Sequence, residues 1–97
     1  MVITKELNEK EIRLYNDNYI NDLRIAIQNT DKDILELLEK RIRYVKEVGE
    51  YKAERNLPIY VPEVEKRKIE ELSAECAYPG LVETIWPVIM CYARSCE

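Results

Sequence analysis

Counting in sevens from Ile20 puts Ile27, Ile34, position 41 and Val48 on one line, and Leu23, Thr30, Leu37, Tyr44 and Tyr51 on a second. Seven residues are close to two helical turns, so each line runs along one face of an amphipathic helix. A third line flanks them: Arg24, Asp31, Leu38, Val45 and Lys52. The pattern continues to Arg55 and predicts one very long helix, more than about 50 Å from end to end. Asn16, Asp17 and Asn18 suit its N-cap. Such a helix is too long for a compact monomer of 97 residues, so something else must cover its apolar seam. Gly49 lies inside it, at a cost of about 1 kcal/mol relative to alanine. A close approach of another backbone would account for a glycine there.

Residues 56–62, NLPIYVP, break the pattern. Pro58 and Pro62 bias the residues before them away from helix, and Pro62 suits the first position of a second helix. That helix is expected to reach about Ala77, with Glu63 and Glu65 near its positive end. Tyr78, Pro79 and Gly80 form a turn, and a third helix follows from about Leu81 to the end of the chain. Its apolar face comprises Val82, Ile85, Trp86, Ile89, Met90 and Ala93. Pro87 is expected to kink this helix or delay its start. The fold class is all-α: one very long helix plus two shorter ones. Residues 1–16 read as an N-terminal extension and 17–97 as one helical domain.

The composition, 35% charged and 46% hydrophobic, is that of an ordinary soluble chain. A chain of this length buries a modest core, which makes oligomerisation the expectation. A net charge of −4 argues against nucleic acid as a partner, but leaves room for a small anion that needs only local cations. Cys76, Cys91 and Cys96 are odd in number and form no C-x-x-C pair, so neither a disulfide framework nor a zinc site is expected. They are expected as small buried hydrophobes. With no histidine, the commonest metal ligand and general base is missing. No metal or cofactor is expected. No apolar run approaches a membrane span, and the N-terminus carries no secretory segment, so the expected location is cytoplasmic with no membrane partner.

Against this background the polar residues on apolar faces stand out. Position 41 of the first seam is an arginine. Lys52 follows eleven residues later, just over three turns, so both project from nearly the same face about 16 Å apart. Two cations closing on one compact molecule suit a dicarboxylate. Arg24 points about 100° away from Arg41 and lies about 25 Å along the helix. It reaches the same ligand only from a second chain whose long helix runs antiparallel. Glu65 heads an apolar line with Ile69, Leu72 and Cys76, and Glu97 ends another with Trp86, Met90 and Ala93. Each has an ordinary alternative: a seam arginine snorkels or pairs with a glutamate, and a surface lysine is solvated. A first-turn glutamate answers the helix dipole, and a last residue frays. Trp86, Tyr44 and Tyr51 fit a core or an interface.

The motifs Leu23–Arg24, Asp31, LLEKR over 37–41, VKEVGEYK over 45–52 and Pro58–Ile59 resemble the all-helical chorismate mutases. The resemblance runs from about residue 20 to the end of the chain. It implies three helices per chain in an intertwined homodimer, and rearrangement of chorismate to prephenate on the way to Phe and Tyr. It also implies roles residue by residue. Arg24 crosses from the partner to hold one substrate carboxylate and Arg41 holds the other. Lys52 bonds a carboxylate and the ether oxygen, and Glu65 accepts from the ring hydroxyl. Glu97 faces the ether oxygen and must be protonated to donate, which implies better activity at low pH. A pericyclic reaction needs no nucleophile, base or metal, only a reactive conformer and cations where charge develops.

The chain departs from the family pattern at Val61 and Val64, where an Asp and a carboxylate-binding Arg are usual, unless Lys66 or Arg67 swings in. Ala93 stands where a Ser is common, and Pro87 is unusual. Two other readings therefore stand beside the mutase: an isochorismate-pyruvate lyase on the same cationic cradle, and a non-catalytic relative that binds a ligand or a protein.

Overall fold

The structure is a computed structural model that describes residues 18–97. The extension assigned to residues 1–16 lies outside the described residues, as do Asn16 and Asp17 of the expected cap. Three helices follow in order: α1 over Asn18–Glu54, α2 over Pro62–Glu75 and α3 over Leu81–Cys96. No strand occurs among the described residues. The chain divides into two compact units, residues 1–40 and 41–97.

In the first unit the described residues are the opening half of α1. Thr30 Oγ1 donates back to the Ala26 carbonyl at 2.8 Å, and Arg24 and Asp31 are half-buried. The apolar seam residues Leu23, Ile27, Ile34 and Leu37 are exposed.

The second unit holds the rest of α1 with α2 and α3. Its apolar core is small: Val82 and Met90 are 4% exposed and Ala93 6%, all on one face of α3. Trp86 and Ile89 flank them half-buried, but Ile85, expected on that face, is exposed. It lies at the outer edge of the arc centred on Met90 and Ala93, beyond the reach of the neighbouring helices. Pro87 does not delay the helix, which starts at Leu81. It sits on the exposed side, where water can serve the Glu83 carbonyl that loses its partner.

The connections are built as the turn residues dictate. α1 closes with Asn56 in the left-handed region at φ 54°, and Leu57 N–H donates back to the Lys52 carbonyl at 2.9 Å. α2 opens on Pro62 after an extended Val61, with Glu63 and Glu65 in its first turn. Glu65, Ile69, Leu72 and Cys76 are all half-buried, as their spacing predicts. Gly80 takes φ 81° ahead of α3, a conformation that favours glycine, and its carbonyl accepts from Thr84 N–H and Oγ1. Ser73 donates to Glu83 at 2.5 Å, tying α2 to α3. With the Glu83 backbone N–H, it holds that carboxyl below its ordinary pKa. The cysteines are not the buried hydrophobes expected: Cys91 is exposed, and Cys76 and Cys96 are half-buried. Cys76 serves the turn instead, its sulfur accepting from Tyr78 N–H at 3.4 Å.

Candidate active site

Within the second unit, α1, the 57–61 loop, α2 and α3 enclose a pocket of about 400 Å³. This volume lies at the small end of the roughly 300–1,000 Å³ typical of small-molecule sites. Its charged lining is Arg41 and Lys52 from α1, Glu65 and Lys68 from α2, and Arg94 and Glu97 from α3. The apolar walls include Val45, Val48, Val61, Val64 and Met90.

Lys52 is held at two points. Its ammonium donates to the Ile59 carbonyl at 2.9 Å, which the Asn56 turn brings back over the end of α1. It also lies 3.1 Å from Glu97 Oε1, a buried oxygen. The contact is an ion pair without hydrogen-bond alignment. Glu97 reaches this position because of Gly49. That glycine is buried, and a Cβ built on it would stand 2.9 Å from both Cα and O of Glu97. The close backbone approach expected from the sequence is therefore the seat of a pocket carboxylate. Gly49→Ala should force Glu97 off its seat. Any turnover in this pocket should fall about 10- to 100-fold. The melting temperature should also drop, although alanine is the better helix former. Unimpaired turnover with a raised melting temperature would show that Glu97 yields without consequence.

Arg41 is half-buried, and its Nη1 is buried with no hydrogen-bond partner among the described residues. A guanidinium nitrogen desolvated without a partner is costly, so the nitrogen is placed for an acceptor the pocket itself does not supply. From α3, Arg94 Nη1 donates to both Glu65 oxygens at 2.6 Å, and its guanidinium lies over the Tyr60 ring, 4.4 Å from the centroid. The Glu65 hydrogen bond holds Arg94 above its ordinary pKa against the opposing effect of burial. Four cations against two carboxylates leave the lining with a formal excess of two positive charges.

Of the residues singled out in the sequence, Arg41, Lys52, Glu65 and Glu97 meet here. Arg24 is not part of this lining. Lys66 and Arg67 are exposed and outside it, whereas Val61 and Val64 line it. Arg94 and Lys68 are the charges the sequence did not disclose. Arg94 follows Met90 by four residues on α3, and its partner is 29 residues away, so no local spacing reveals the pair. Among the described residues no group of Cys, Asp and Glu side chains is placed to hold a metal ion.

Residues 23–97 match the family model for chorismate mutase type II. The chain belongs to that family. It is similar to the T-protein of Enterobacter agglomerans, with 42% identity over 72 residues, covering 70% of this chain and 19% of the relative. It is likewise 42% identical over 53 residues to the bifunctional chorismate mutase/prephenate dehydratase of Aquifex aeolicus, covering 55% of this chain and 15% of the relative. The T-protein of Haemophilus influenzae is 34% identical over 62 residues, covering 64% and 16%. The chain thus spans less than a fifth of the curated relatives it matches. No solved structure matches it significantly. A place among the chorismate mutases gives the cation-rich pocket a family setting, and the all-helical fold expected from the sequence is the one observed.

Proposed function

We propose that this chain is a chorismate mutase that rearranges chorismate to prephenate by holding a dianion between fixed cations. The observation that carries the reading is the buried, unpartnered Arg41 nitrogen in a pocket with two surplus positive charges. An isomerisation adds and removes no atoms. The protein need only select the compact conformer in which the new C–C bond forms as the ether C–O bond breaks. It must also stabilise the negative charge that grows on that oxygen. Arg41 takes a carboxylate, Glu65 accepts from the ring hydroxyl, and Lys52 and Glu97 serve the ether oxygen.

The reading includes a cytoplasmic homodimer that needs no metal or cofactor. Its support is the seam of α1, where Ile27, Ile34, Leu37, Tyr44 and Val48 are exposed in the single chain, and the small core of the second unit. An antiparallel second α1 would cover that seam and bring Arg24 to the partner's pocket as the second carboxylate ligand. Among the described residues no helix is long and apolar enough to cross a membrane.

Loss of chorismate absorbance, followed from pH 5 to 8, tests the reading. Turnover should be present in the wild type, be kept in Glu97→Gln, whose amide can donate to the ether oxygen, and fall in Glu97→Ala. Equal turnover in Glu97→Ala and the wild type would remove Glu97 from the reaction. The valines at 61 and 64 favour a second reading, in which the pocket binds an aromatic-pathway dicarboxylate without converting it. Absence of turnover at every pH, with isochorismate as well as chorismate, would select it over the mutase and the pyruvate-releasing lyase.

A further inference from the structure

We infer that Arg94 on α3 is a substrate-binding residue that clamps one carboxylate of the dianion. This rests on the reading of the pocket as a dicarboxylate site. The α2 wall offers the pocket only Val61, Val64, Glu65 and Lys68. Of these Lys68 is exposed on a flexible stem, whereas Arg94 is anchored. Glu65 grips it through Nη1 alone, with both oxygens at 2.6 Å. Tyr60 supports the guanidinium face.

Two anchors from two segments remove the rotamer freedom that a long side chain otherwise loses on binding. The anchored group is not exhausted. A guanidinium has five N–H donors. The Nε and Nη2 donors of Arg94 take part in no hydrogen bond among the described residues. A planar fork of this kind matches a carboxylate. The guanidinium remains partly open, with its side chain 29% exposed, and it lines the pocket. A salt bridge serving stability alone would account for the Glu65 contact, but not for a preorganised donor edge in a wall of a pocket that also holds an unsatisfied Arg41 nitrogen. Glu65 then has two tasks: it aims Arg94, and it keeps a free lone pair for the ring hydroxyl.

The test uses the full chain with chorismate and its two monomethyl esters, each ester lacking one carboxylate charge. Arg94→Gln removes the charge and keeps a hydrogen-bond donor for Glu65, and Arg94→Lys keeps the charge without the fork. Arg94→Gln should lower kcat/KM for chorismate about 10- to 100-fold, mainly through KM. It should cost far less with the ester whose modified carboxylate Arg94 would have held. Arg94→Lys should recover part of the loss. Equal losses on all three substrates would overturn the clamp and leave Arg94 a structural residue, as would no loss at all. Calorimetric binding of prephenate to wild type and Arg94→Gln separates the two readings. If the wild type binds without turnover, the mutase reading fails, and the clamp stands or falls on whether Arg94→Gln weakens binding. If the wild type neither turns over nor binds, both are overturned.

Discussion

Lys52→Ala should lower kcat for chorismate about 100- to 1,000-fold, with a smaller change in KM. Lys52 is the pocket cation assigned to the ether oxygen, where charge appears only as the bond breaks. Removing one preorganised donor to such a charge costs about 2.7–4 kcal/mol in transition-state stabilisation and little in ground-state binding. The Lys52 and Glu97 side chains are only 22% and 9% exposed, so the variant also leaves a largely buried carboxylate without its cation, and the melting temperature should fall as well. Turnover is therefore compared at a temperature where circular dichroism shows both proteins fully helical. A kcat within a few-fold of wild type would remove Lys52 from the reacting atoms.

Arg41→Ala should have an effect of similar size but different form. On the proposed reading Arg41 would hold a carboxylate in ground state and transition state alike, so the loss should fall on binding first. A charge-assisted hydrogen bond of about 1.5–3 kcal/mol predicts a 10- to 150-fold weaker complex. Loss of alignment should carry kcat/KM below that, toward about 1,000-fold. The sign of the stability change is the sharper test. The Nη1 nitrogen is buried without a partner among the described residues, so its removal relieves a desolvation cost that offsets the lost packing of the stem. The unliganded variant should melt within a few degrees of wild type, and prephenate should no longer raise its melting temperature. A large drop in stability without ligand would mark Arg41 as structural. Unchanged prephenate binding would remove it from the site.

The long helix, the two breaks and four of the pocket residues were legible because they obey short-range rules. Sevens from Ile20 reach Arg41, a step of eleven puts Lys52 on nearly the same face, and the line from Glu65 to Cys76 faces inward as its spacing requires. Even Gly49 was legible as a close approach, since a glycine in mid-helix needs a reason. What stayed hidden depends on contacts between distant segments. Arg94 looks like an ordinary charge near a helix end until Glu65 and Tyr60 are placed against it. Ile85 was misplaced because period alone does not say how wide an arc the neighbouring helices cover. The cysteines were misplaced because their residue type predicts burial only on average, and on α3 Cys91 falls on the exposed side.

The two ion pairs across the pocket have a consequence for what the site refuses. Glu97 and Glu65 are resident competitors, already matched to Lys52 and Arg94. A phosphate or chloride ion, abundant in any cell, finds these cations answered and meets few that are idle. Only a guest carrying two carboxylates at the right separation engages several cations at once and offers more than the residents do. On the proposed reading, the same carboxylates that serve the chemistry also act as a filter, keeping a cavity with two surplus cations from being silted up by common salts.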